Sequence, residues 1–366
     1  MHINVEYRHK NGFEDFLRKA ASLHILLMYD VNTAPYALAF RDRLQEAGCR
    51  VSDVLYPDAE LIPTEAHCER AFGAAEKADY VLAVGSGTLN DMAKSISTRR
   101  GIPCGVLATA ASMDGYCSAG AALMRGGVKV TDVVHPPQDV LVDLDIIRRA
   151  PRALTAAGFG DIIGKFTCLA DWQLSHLVRG EPIHREAYAM MEQARTACMA
   201  AYQGLIQYRE DAVEALMDAL ITAGLSMAMC GNSRPASGSE HHQSHYLEMD
   251  FVRRGERIPL HGVKVGIGTL VSLALYRYIA QHRISCPNAS HVWELAESLP
   301  DEERIREMLC GMGCPIRFSE IGVREQTMRD MLRDAHTVRD RYTVLTLVHE
   351  LGLTHQVTPM IMEKYF

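Results

Sequence analysis

Three histidines lie within five positions of the sequence, where His241, His242 and His245 follow Glu240 in ASGSEHHQSHYLEM (236–249). In an α-helix, His241 and His245 would lie one turn apart on the same face, and His242 would point elsewhere. Imidazoles on one helix face are suited to binding a metal ion. The alternative is a solvated surface helix in which three of the sixteen histidines cluster by chance.

Two further segments carry side chains that could complete a metal site. Asp161 lies in GFGDIIGK, where it would open the first long helix behind glycines, and His261 lies in PLHGVKVGIGT just ahead of another helical start. One aspartate and two histidines from three helices would form a mixed oxygen and nitrogen set with open positions, which suits a catalytic zinc ion. Nickel, iron and manganese accept the same donors, so the sequence does not determine the metal. Taken singly, an aspartate such as Asp161 is more often an N-cap than a ligand, and a histidine such as His261 is more often structural than a ligand.

A turn of small residues follows a predicted buried strand in VLAVGSGTLNDMAKS (81–95). The turn consists of Gly85, Ser86, Gly87 and Thr88. Glycines let the backbone approach a ligand closely, and the exposed N–H groups of the next helix's first turn favour a phosphate. The third glycine of the dinucleotide-binding fingerprint is absent, and Asp91 and Lys94 follow instead. A plain strand-to-helix turn is therefore the alternative interpretation.

Small polar residues also follow two other predicted strands. Asp30 lies in MYDVNT after the first strand, and the segment LATAASMDGYCSAGA follows the fourth. The polar residues of that second segment are Thr109, Ser112, Asp114 and Ser118. Ligands of parallel sheets bind beyond the carboxyl ends of the strands, so these loops would meet the glycine turn at one edge. Asp30 would accept hydrogen bonds from a ribose or cap the following helix.

Strands and helices alternate through the first part of the chain. Apolar runs at 23–29, 49–57, 79–85 and 102–109 predict strands, with helical patterns between them. This alternation calls for a parallel sheet covered by helices. Two more β-like pieces lie at 127–134 and 139–143.

Nearly every later segment has a helical pattern. The predicted helices cover 161–178, 183–207, 210–230, 239–250, 262–282, 288–298, 301–311 and 324–350. Ser237 and Ser239 are suitable N-caps for the fourth of them. The change of pattern predicts an α/β domain at 1–147 and an all-helical domain at 148–366, with a small-molecule site in the cleft between them.

The composition excludes several classes of protein. Of the 366 residues, 48% are hydrophobic and 23% charged, as expected for a globular chain. We find no apolar run long enough to predict a membrane span and no secretory signal at the N-terminus. The formal net charge of −7 argues against nucleic-acid binding. The ten scattered cysteines do not form a disulfide framework, which favours a reducing, cytoplasmic location.

Six motifs together resemble the sn-glycerol-1-phosphate dehydrogenase family. They are GSGTLNDMAK, TAASMDG, APRALTAAGFGDIIGKFTCLADW, SRPASGSEHHQSH, LHGVKVGIGT and RDRYTVL, and the resemblance extends from about residue 23 to residue 350. This family belongs to the wider superfamily of glycerol dehydrogenases, iron-containing alcohol dehydrogenases and dehydroquinate synthases. The resemblance implies a Rossmann-like domain for NAD or NADP, a helical domain, a divalent metal ion in the cleft, and assembly into homo-oligomers.

The resemblance also assigns roles to residues. The metal ligands would be Asp161, His241 and His261, and His245 would contact the substrate or the residues around the metal. Asp114 matches an aspartate that contacts the substrate. The implied cofactor contacts are Asp30, Gly85, Ser86, Gly87, Thr88, Asp91, Thr109, Ser112 and Ser118.

The implied reaction is the reversible reduction of dihydroxyacetone phosphate to sn-glycerol 1-phosphate. Arg234 and Lys165 are the cations nearest the predicted site in the sequence and are candidates for binding the phosphate, although a salt bridge is an equal alternative for each. Without a phosphate-binding cation, glycerol or another polyol would be the better substrate. A lyase that uses NAD as a bound catalyst and a non-catalytic nucleotide-binding protein are the remaining alternatives.

Overall fold

The structure is a computed structural model that describes residues 3–366. The chain forms two compact units, one that ends at Pro151 and one that comprises Arg152–Phe366. Each has its own secondary-structure class.

The first unit is built on a six-stranded parallel sheet. The strands of this unit are β1 (Asn4–Tyr7), β2 (His24–Asp30), β3 (Arg50–Tyr56), β4 (Tyr80–Gly85), β5 (Cys104–Ala108), β6 (Gly120–Arg125), β7 (Val128–Val133) and β8 (Asp139–Val142). The sheet has the order β1-β8-β5-β4-β2-β3, and every neighbouring pair is parallel. The predicted α/β class is confirmed.

Helices cover this sheet because its central strands are apolar on both faces. The helices of the unit are α1 (Arg8–Asn11), α2 (Glu14–Ala20), α3 (Ala34–Glu46), α4 (Glu65–Ala74), α5 (Gly87–Arg100) and α6 (Leu144–Ile147). Every residue of β4, β5 and β8 is buried, as is usual for parallel strands with helices on each side. Phe16 and Phe40, from α2 and α3, pack with Leu27 and Leu82 in the core on one face.

Two parts of this unit differ from the prediction. Strand β1 at the sheet edge was not predicted, and the β-like piece at 127–134 does not join the parallel sheet. It forms an antiparallel hairpin with β6 instead. The two residues between the paired ends, Gly126 and Gly127, have φ of +54° and +76°, which is the backbone of a tight two-residue turn. This glycine pair was the available signal for the hairpin.

The second unit contains no strand within residues 152–366. Its helices are α7 (Arg152–Ile163), α8 (Lys165–Arg179), α9 (Arg185–Ala200), α10 (Tyr202–Ile206), α11 (Glu210–Cys230), α12 (Ser239–Arg254), α13 (His261–Gln281), α14 (Ala289–Ser298), α15 (Glu302–Gly311), α16 (Glu325–Asp334), α17 (Val344–Glu350) and α18 (Thr354–Tyr365). The predicted all-helical class is confirmed. Helix α13 is buried along almost its whole length and contacts α7, α12 and α14.

Four helical predictions differ from the structure. The first long helix starts at Arg152 rather than at 161, because its internal glycines serve helix packing and do not end the helix. The predicted helix 183–207 is two helices, α9 and α10. The predicted helix 324–350 is also two helices, α16 and α17, joined by a short 3-10 turn and a loop at 338–343. Helix α18, which contains Pro359, was not predicted.

Close backbone contacts fix how α7, α12 and α13 cross. A Cβ added to Gly262 would lie 1.8 Å from the carbonyl oxygen of Ala157, and one added to Gly160 would lie 2.3 Å from that of Gly262. A Cβ on Gly268 would lie 2.9 Å from the carbonyl oxygen of Glu240. No side chain fits at these positions, so glycine is required for the helices to approach this closely.

Three helical segments are long and apolar enough to cross a membrane by length and composition alone. They are Arg152–Arg179, which spans α7 and α8, Glu210–Cys230 and His261–Gln281. Their most apolar windows are 83%, 56% and 89% buried inside the fold. Packing within the unit therefore accounts for most of this apolar surface.

Candidate active site

Three helices of the second unit bring together the side chains predicted to bind a metal ion. Asp161 comes from α7, His241 from α12 and His261 from α13, and one ligand atom of each lies within 4.8 Å of the others. His241 Nε2 lies 3.5 Å from Asp161 Oδ1, and the two imidazole centroids are 5.2 Å apart. Asp161 and His241 are buried and His261 is half-buried. The cluster is a one-carboxylate, two-imidazole set, which leaves positions for other ligands on a four- or five-coordinate ion.

Asp161 does not cap a helix. It lies in the last turn of α7, so the N-cap interpretation is wrong, as is its predicted position at the start of the first long helix. The close crossing at Gly160 and Gly262 places Asp161 opposite the start of α13, where His261 is the first helical residue.

A buried carboxylate orients His241. Glu240 Oε1 lies 2.7 Å from His241 Nδ1 and also accepts from the backbone N–H of Gly238 at 2.7 Å. Its other oxygen accepts from Thr167 Oγ1 at 2.6 Å. A carboxylate only accepts, so Nδ1 carries the proton and the lone pair of Nε2 faces Asp161. This carboxylate–histidine arrangement is the one that usually accompanies metal-binding histidines.

A second carboxylate contacts His261. Glu248 Oε1 lies 3.3 Å from His261 Nδ1 and 3.2 Å from Lys264 Nζ, and Glu248 is buried. The Nδ1 atoms of both imidazoles in the cluster are therefore next to carboxylates, which leaves Nε2 as the atom available to a metal ion.

His245 lies beside the cluster without belonging to it. Its ring centroid is 6.5 Å from that of His241 and 6.0 Å from that of His261. Its Nδ1 is 4.0 Å from Glu248 Oε2, and its Nε2 is 3.3 Å from Nη2 of Arg339. His245 is thus placed between the cluster and an arginine, in agreement with its predicted position near the metal ligands.

The electrostatics of the cluster favour a cation. Burial alone would raise the pKa of Asp161, but the charge of Lys165, followed by the neighbouring imidazoles, brings it far below its ordinary value. Burial likewise opposes ionisation of Glu240, yet its hydrogen bonds to His241 and Thr167 keep its pKa below the usual range. The ionised Asp161 and the two imidazoles form a donor set that fits a divalent ion.

The two predicted phosphate-binding cations are held inside the second unit. Lys165 is fully buried, with its Nζ 3.2 Å from Asp161 Oδ1 and 2.9 Å from the carbonyl oxygen of Ala236. Arg234 is also buried and donates to both carboxylate oxygens of Glu181, at 3.1 and 2.9 Å. The structure favours the salt-bridge interpretation for each.

The predicted serine caps of α12 are absent. The N-cap residue is Gly238, and no side chain of its own caps the helix. The N–H of Ser239 donates instead to Asp171 Oδ2 at 2.6 Å, so a buried aspartate from α8 replaces the expected serine. Asp171 also accepts from Tyr276 OH at 2.7 Å and from the N–H of Val344 at 2.8 Å, which ties α12 to α13 and α17.

The glycine turn of the first unit has an uncapped helix start. Ser86 is the N-cap of α5 and makes no side-chain capping bond. Gly85 needs to be glycine, because a Cβ there would lie 2.4 Å from Leu89 Cδ1. A Cβ on Gly87 would meet only the Met113 side chain, at 3.5 Å. Uncapped N–H groups behind a glycine turn form a site that fits a phosphate group of a dinucleotide.

The loop after β5 adjoins this turn. The N–H of Thr109 donates to the carbonyl oxygen of Gly85 at 3.1 Å. Asn90 Nδ2 in α5 donates to the carbonyl oxygen of Gly115 at 3.4 Å. The loop after β2 follows the strand on the other side of β4. The three predicted loops therefore end neighbouring parallel strands, although Asp30 uses Oδ1 to accept from the N–H groups of Asn32 and Thr33 at 2.9 Å each.

A buried lysine that the sequence did not single out as functional holds the β5 loop. Lys94 Nζ lies 2.8 Å from Asp91 Oδ1 and donates to the carbonyl oxygens of Gly115 and Gly120, at 3.1 and 2.6 Å. It is also 3.3 Å from Ser118 Oγ. Three of the predicted cofactor-contacting residues are buried in or near this loop, Thr109, Ser112 and Ser118, as is the predicted substrate contact Asp114.

Comparisons with known proteins place the chain in a family. Its fold matches a probable glycerol dehydrogenase from Sinorhizobium meliloti, with a TM-score of 0.71 over 99% of this chain and 98% of the other at 17% identity. Residues 8–151 match the family described as iron-containing alcohol dehydrogenase. A glycerol-1-phosphate dehydrogenase (NAD(P)+) from Bacillus velezensis is 37% identical over 347 residues, which are 92% of this chain and 87% of the relative. The chain belongs to the glycerol-1-phosphate dehydrogenase family.

Other members of the glycerol-1-phosphate dehydrogenase family match at similar coverage. The Bacillus subtilis protein is 34% identical across 92% of this chain and 88% of its own length. The Pyrococcus furiosus protein is 32% identical across 90% and 87%. The resemblance inferred from the six motifs is confirmed.

Proposed function

We propose that this protein is a metal-dependent, NAD(P)-linked dehydrogenase that reversibly reduces dihydroxyacetone phosphate to sn-glycerol 1-phosphate. The convergence of Asp161, His241 and His261 from three helices carries the proposal, because that donor set matches what a secondary alcohol dehydrogenase of this kind requires. Membership of the glycerol-1-phosphate dehydrogenase family supports the substrate and the cofactor.

Asp161, His241 and His261 would hold the ion, and zinc, nickel or iron would suit the donors. When bound, the divalent ion would polarise the substrate oxygen and lower the pKa of the alcohol, and the nicotinamide would supply or accept the hydride. The protein orients the groups that bind them. Glu240 and Glu248 keep the protons of the two imidazoles on Nδ1, so Nε2 is available in each.

His245 is the side chain beside the cluster that we propose as the substrate contact and proton relay. An arginine can only donate, so the contact between Arg339 Nη2 and His245 Nε2 fixes the proton of the neutral ring on Nδ1, towards Glu248. The ring is partly exposed, with 21% of its side chain accessible. A proton released by the alcohol would pass to solvent through water directly, or through His245 Nε2 when Arg339 does not occupy the lone pair of that atom.

The first unit would bind the cofactor at the start of α5. The uncapped N–H groups after Ser86 would hold its pyrophosphate, with Gly85, Gly87 and Thr88 allowing close approach. Asp30 would face the adenosine ribose through its second carboxylate oxygen, and Asp114 would contact the substrate. We further assign Asp91, Thr109, Ser112 and Ser118 to the walls of the cofactor site, through contacts of their backbone or side chains.

We propose that residues 1–147 act as the cofactor domain and residues 148–366 as the metal- and substrate-binding domain. We also propose a homo-oligomer in the cytoplasm. All ten cysteines are free thiols in the structure, which suits a reducing compartment.

An absorbance assay at the NADH band tests the proposal. Dihydroxyacetone phosphate and dihydroxyacetone are offered in parallel, with and without a chelator. We expect NADH or NADPH consumption that depends on the phosphate, stops with the chelator and returns with added zinc, nickel or iron.

Three outcomes would contradict it. Consumption with dihydroxyacetone but not with its phosphate would indicate a polyol dehydrogenase, and no net consumption would leave a lyase or a non-catalytic protein. His241→Ala should abolish the rate, whereas His355→Ala, an exposed histidine in α18, should retain it. Equal rates for the two variants would exclude the metal cluster as the active site.

A further inference from the structure

Two arginines of the loop before α17 converge on one serine. Arg339 Nη1 and Arg341 Nη2 each donate to Ser233 Oγ at 2.9 Å. They are two positions apart at a bend of the backbone, where the N–H of Arg341 donates to the carbonyl oxygen of Arg339 at 2.8 Å. Arg341 Nη1 also donates to the carbonyl oxygen of Ser237 at 3.2 Å.

Neither guanidinium group has a direct ion pair of the kind that Arg234 and Arg333 have, and the carboxylates that act on them at longer range are Glu248 for Arg339 and Glu181 for Arg341. Within residues 3–366, no carboxylate oxygen lies within 4.0 Å of Arg339 or Arg341. Arg234 is paired with Glu181, and Arg333, in the preceding helix, is paired with carboxylates on the surface. Burial, then the charges of Arg339 and Arg234, lower the pKa of Arg341 to about 10. Two partly buried like charges side by side favour the binding of an anion.

The arginine pair adjoins the metal cluster through one imidazole. Arg339 Nη2 contacts His245 Nε2, and the His245 ring is 6.5 Å from that of His241. A small molecule held at the cluster would therefore have a guanidinium group one side chain away. Two residues close in sequence to Ser233 and His245 have buried polar atoms without a hydrogen-bond partner within residues 3–366. The atoms are Ser237 Oγ and both ring nitrogens of His242.

We propose that Arg339 and Arg341, held together by Ser233, bind the phosphate group of the substrate and make the enzyme select phosphorylated ketones. This inference rests on the proposed function and names the residues that recognise the phosphate, in place of Arg234 and Lys165. Planar guanidinium groups hold phosphate oxygens in pairs, which a lysine at the same position does not reproduce.

Steady-state kinetics of Arg339→Gln and Arg341→Gln test the proposal. A lost charge-assisted hydrogen bond weakens phosphate binding roughly tenfold to a hundredfold, so we expect KM for dihydroxyacetone phosphate to rise by about that factor. The ratio of kcat/KM for dihydroxyacetone phosphate to that for dihydroxyacetone should fall similarly. Arg341→Lys should lose less than Arg341→Gln, since it retains the charge.

Inorganic phosphate supplies a readout that does not depend on turnover. We expect it to inhibit competitively with dihydroxyacetone phosphate, and calorimetric titration should detect its binding to the wild-type protein and not to Arg339→Gln. Arg333→Gln is the matched control, because that arginine is exposed and ion-paired in the preceding helix. Metal content and the melting temperature identify any variant that fails to fold.

The outcomes separate this inference from the proposed function. Wild-type turnover of dihydroxyacetone phosphate with unchanged KM in both glutamine variants would overturn the arginine assignment and leave the function standing. Noncompetitive inhibition by phosphate would place the anion elsewhere and also overturn it. A wild-type protein that binds phosphate through Arg339 but turns over no dihydroxyacetone phosphate would contradict the function alone.

Discussion

At the scale of single residues, the position of Glu240 next to His241 determines which imidazole nitrogen faces the cluster. The carboxylate contacts the ring of its own neighbour and is held from the other side by Thr167. This arrangement fixes the tautomer of His241 through its neighbour in the sequence, which a residue of α8 holds in place. The same logic applies more weakly to Glu248 and His261, whose separation is 3.3 Å.

Replacing Glu240 by glutamine should weaken metal binding while leaving every ligand in place. An amide can present its N–H to His241 Nδ1 and so favours the wrong tautomer, and loss of such a partner typically costs about 10–100-fold in metal affinity. Competition with a chromophoric chelator measures the change. Glu256→Gln, at a surface ion pair just after α12, is the control, and equal affinities for the two variants would refute the role of Glu240.

In the first unit, Lys94 has a supporting role similar to that of Glu240, because it joins α5 to the loop after β5. Lys94→Met would leave Asp91 and two carbonyl oxygens without their buried donor, and removing one partner of a buried pair costs about 3–5 kcal/mol. We expect a lower free energy of unfolding in urea and a higher Kd for NADPH or NADH by fluorescence titration. Lys77→Met, at an exposed position, should change neither quantity.

At the scale of elements, the crossing of α7, α12 and α13 decides whether the metal ligands meet. The helices approach so closely that a methyl group at Gly262 would overlap the backbone of α7. Interfaces of this kind respond to added volume by moving apart, since protein interiors are close-packed. The metal site therefore depends on glycines that are not themselves ligands.

Gly262→Ala should separate α7 from α13 and reduce both stability and metal binding. Overpacking of a core costs typically about 1–3 kcal/mol, and we expect the upper end because the clash is with backbone. Urea unfolding and metal analysis measure the two effects. Gly73→Ala in α4 is the matched control: nothing lies within 4 Å of the added Cβ, so it should stabilise the protein by about 0.5–1 kcal/mol. An unchanged free energy of unfolding and an unchanged metal content in Gly262→Ala would show that the crossing tolerates a wider spacing.

At the scale of the whole molecule, the metal cluster lies entirely within the helical unit and the glycine turn entirely within the α/β unit. Each ligand should therefore stabilise mainly the unit that binds it. Ligand binding to the native state contributes about 4 kcal/mol at a thousandfold excess over Kd.

Hydrogen exchange with and without chelator tests this separation. Removing the metal ion should accelerate amide exchange in the N-terminal turns of α12 and α13, and adding zinc should reverse the change. The strands of the parallel sheet should exchange at unchanged rates, whereas NADPH or NADH should protect residues 85–91 and 109–118. Uniform acceleration across both units would contradict the assignment of the ion to the helical unit alone.

Local sequence patterns were sufficient for much of this molecule. Continuous apolar runs predicted four strands of the parallel sheet, and helical periodicity predicted α11, α12 and α13 to within a few residues. The patterns failed where a residue is required by a contact with a distant part of the chain. The glycines of α7 were interpreted as a helix start, although they serve the crossing with α13.

For the site, too, local sequence predicted some features and only the tertiary structure decided the others. Residue types and motifs by themselves determined the fold class, the family and the three groups expected to bind a metal ion, because apolar periodicity and ordered motifs are properties of the chain read locally. Only the tertiary structure decided that Lys165 and Arg234 are internally paired, that Arg339 and Arg341 are not, and that Glu240 and Glu248 orient the imidazoles. The reason is physical: whether a charge is neutralised depends on what packs within a few ångströms of it. Only the folded chain shows this, both for a neighbour in the sequence, such as Glu240 beside His241, and for a distant partner, such as Glu181 beside Arg234.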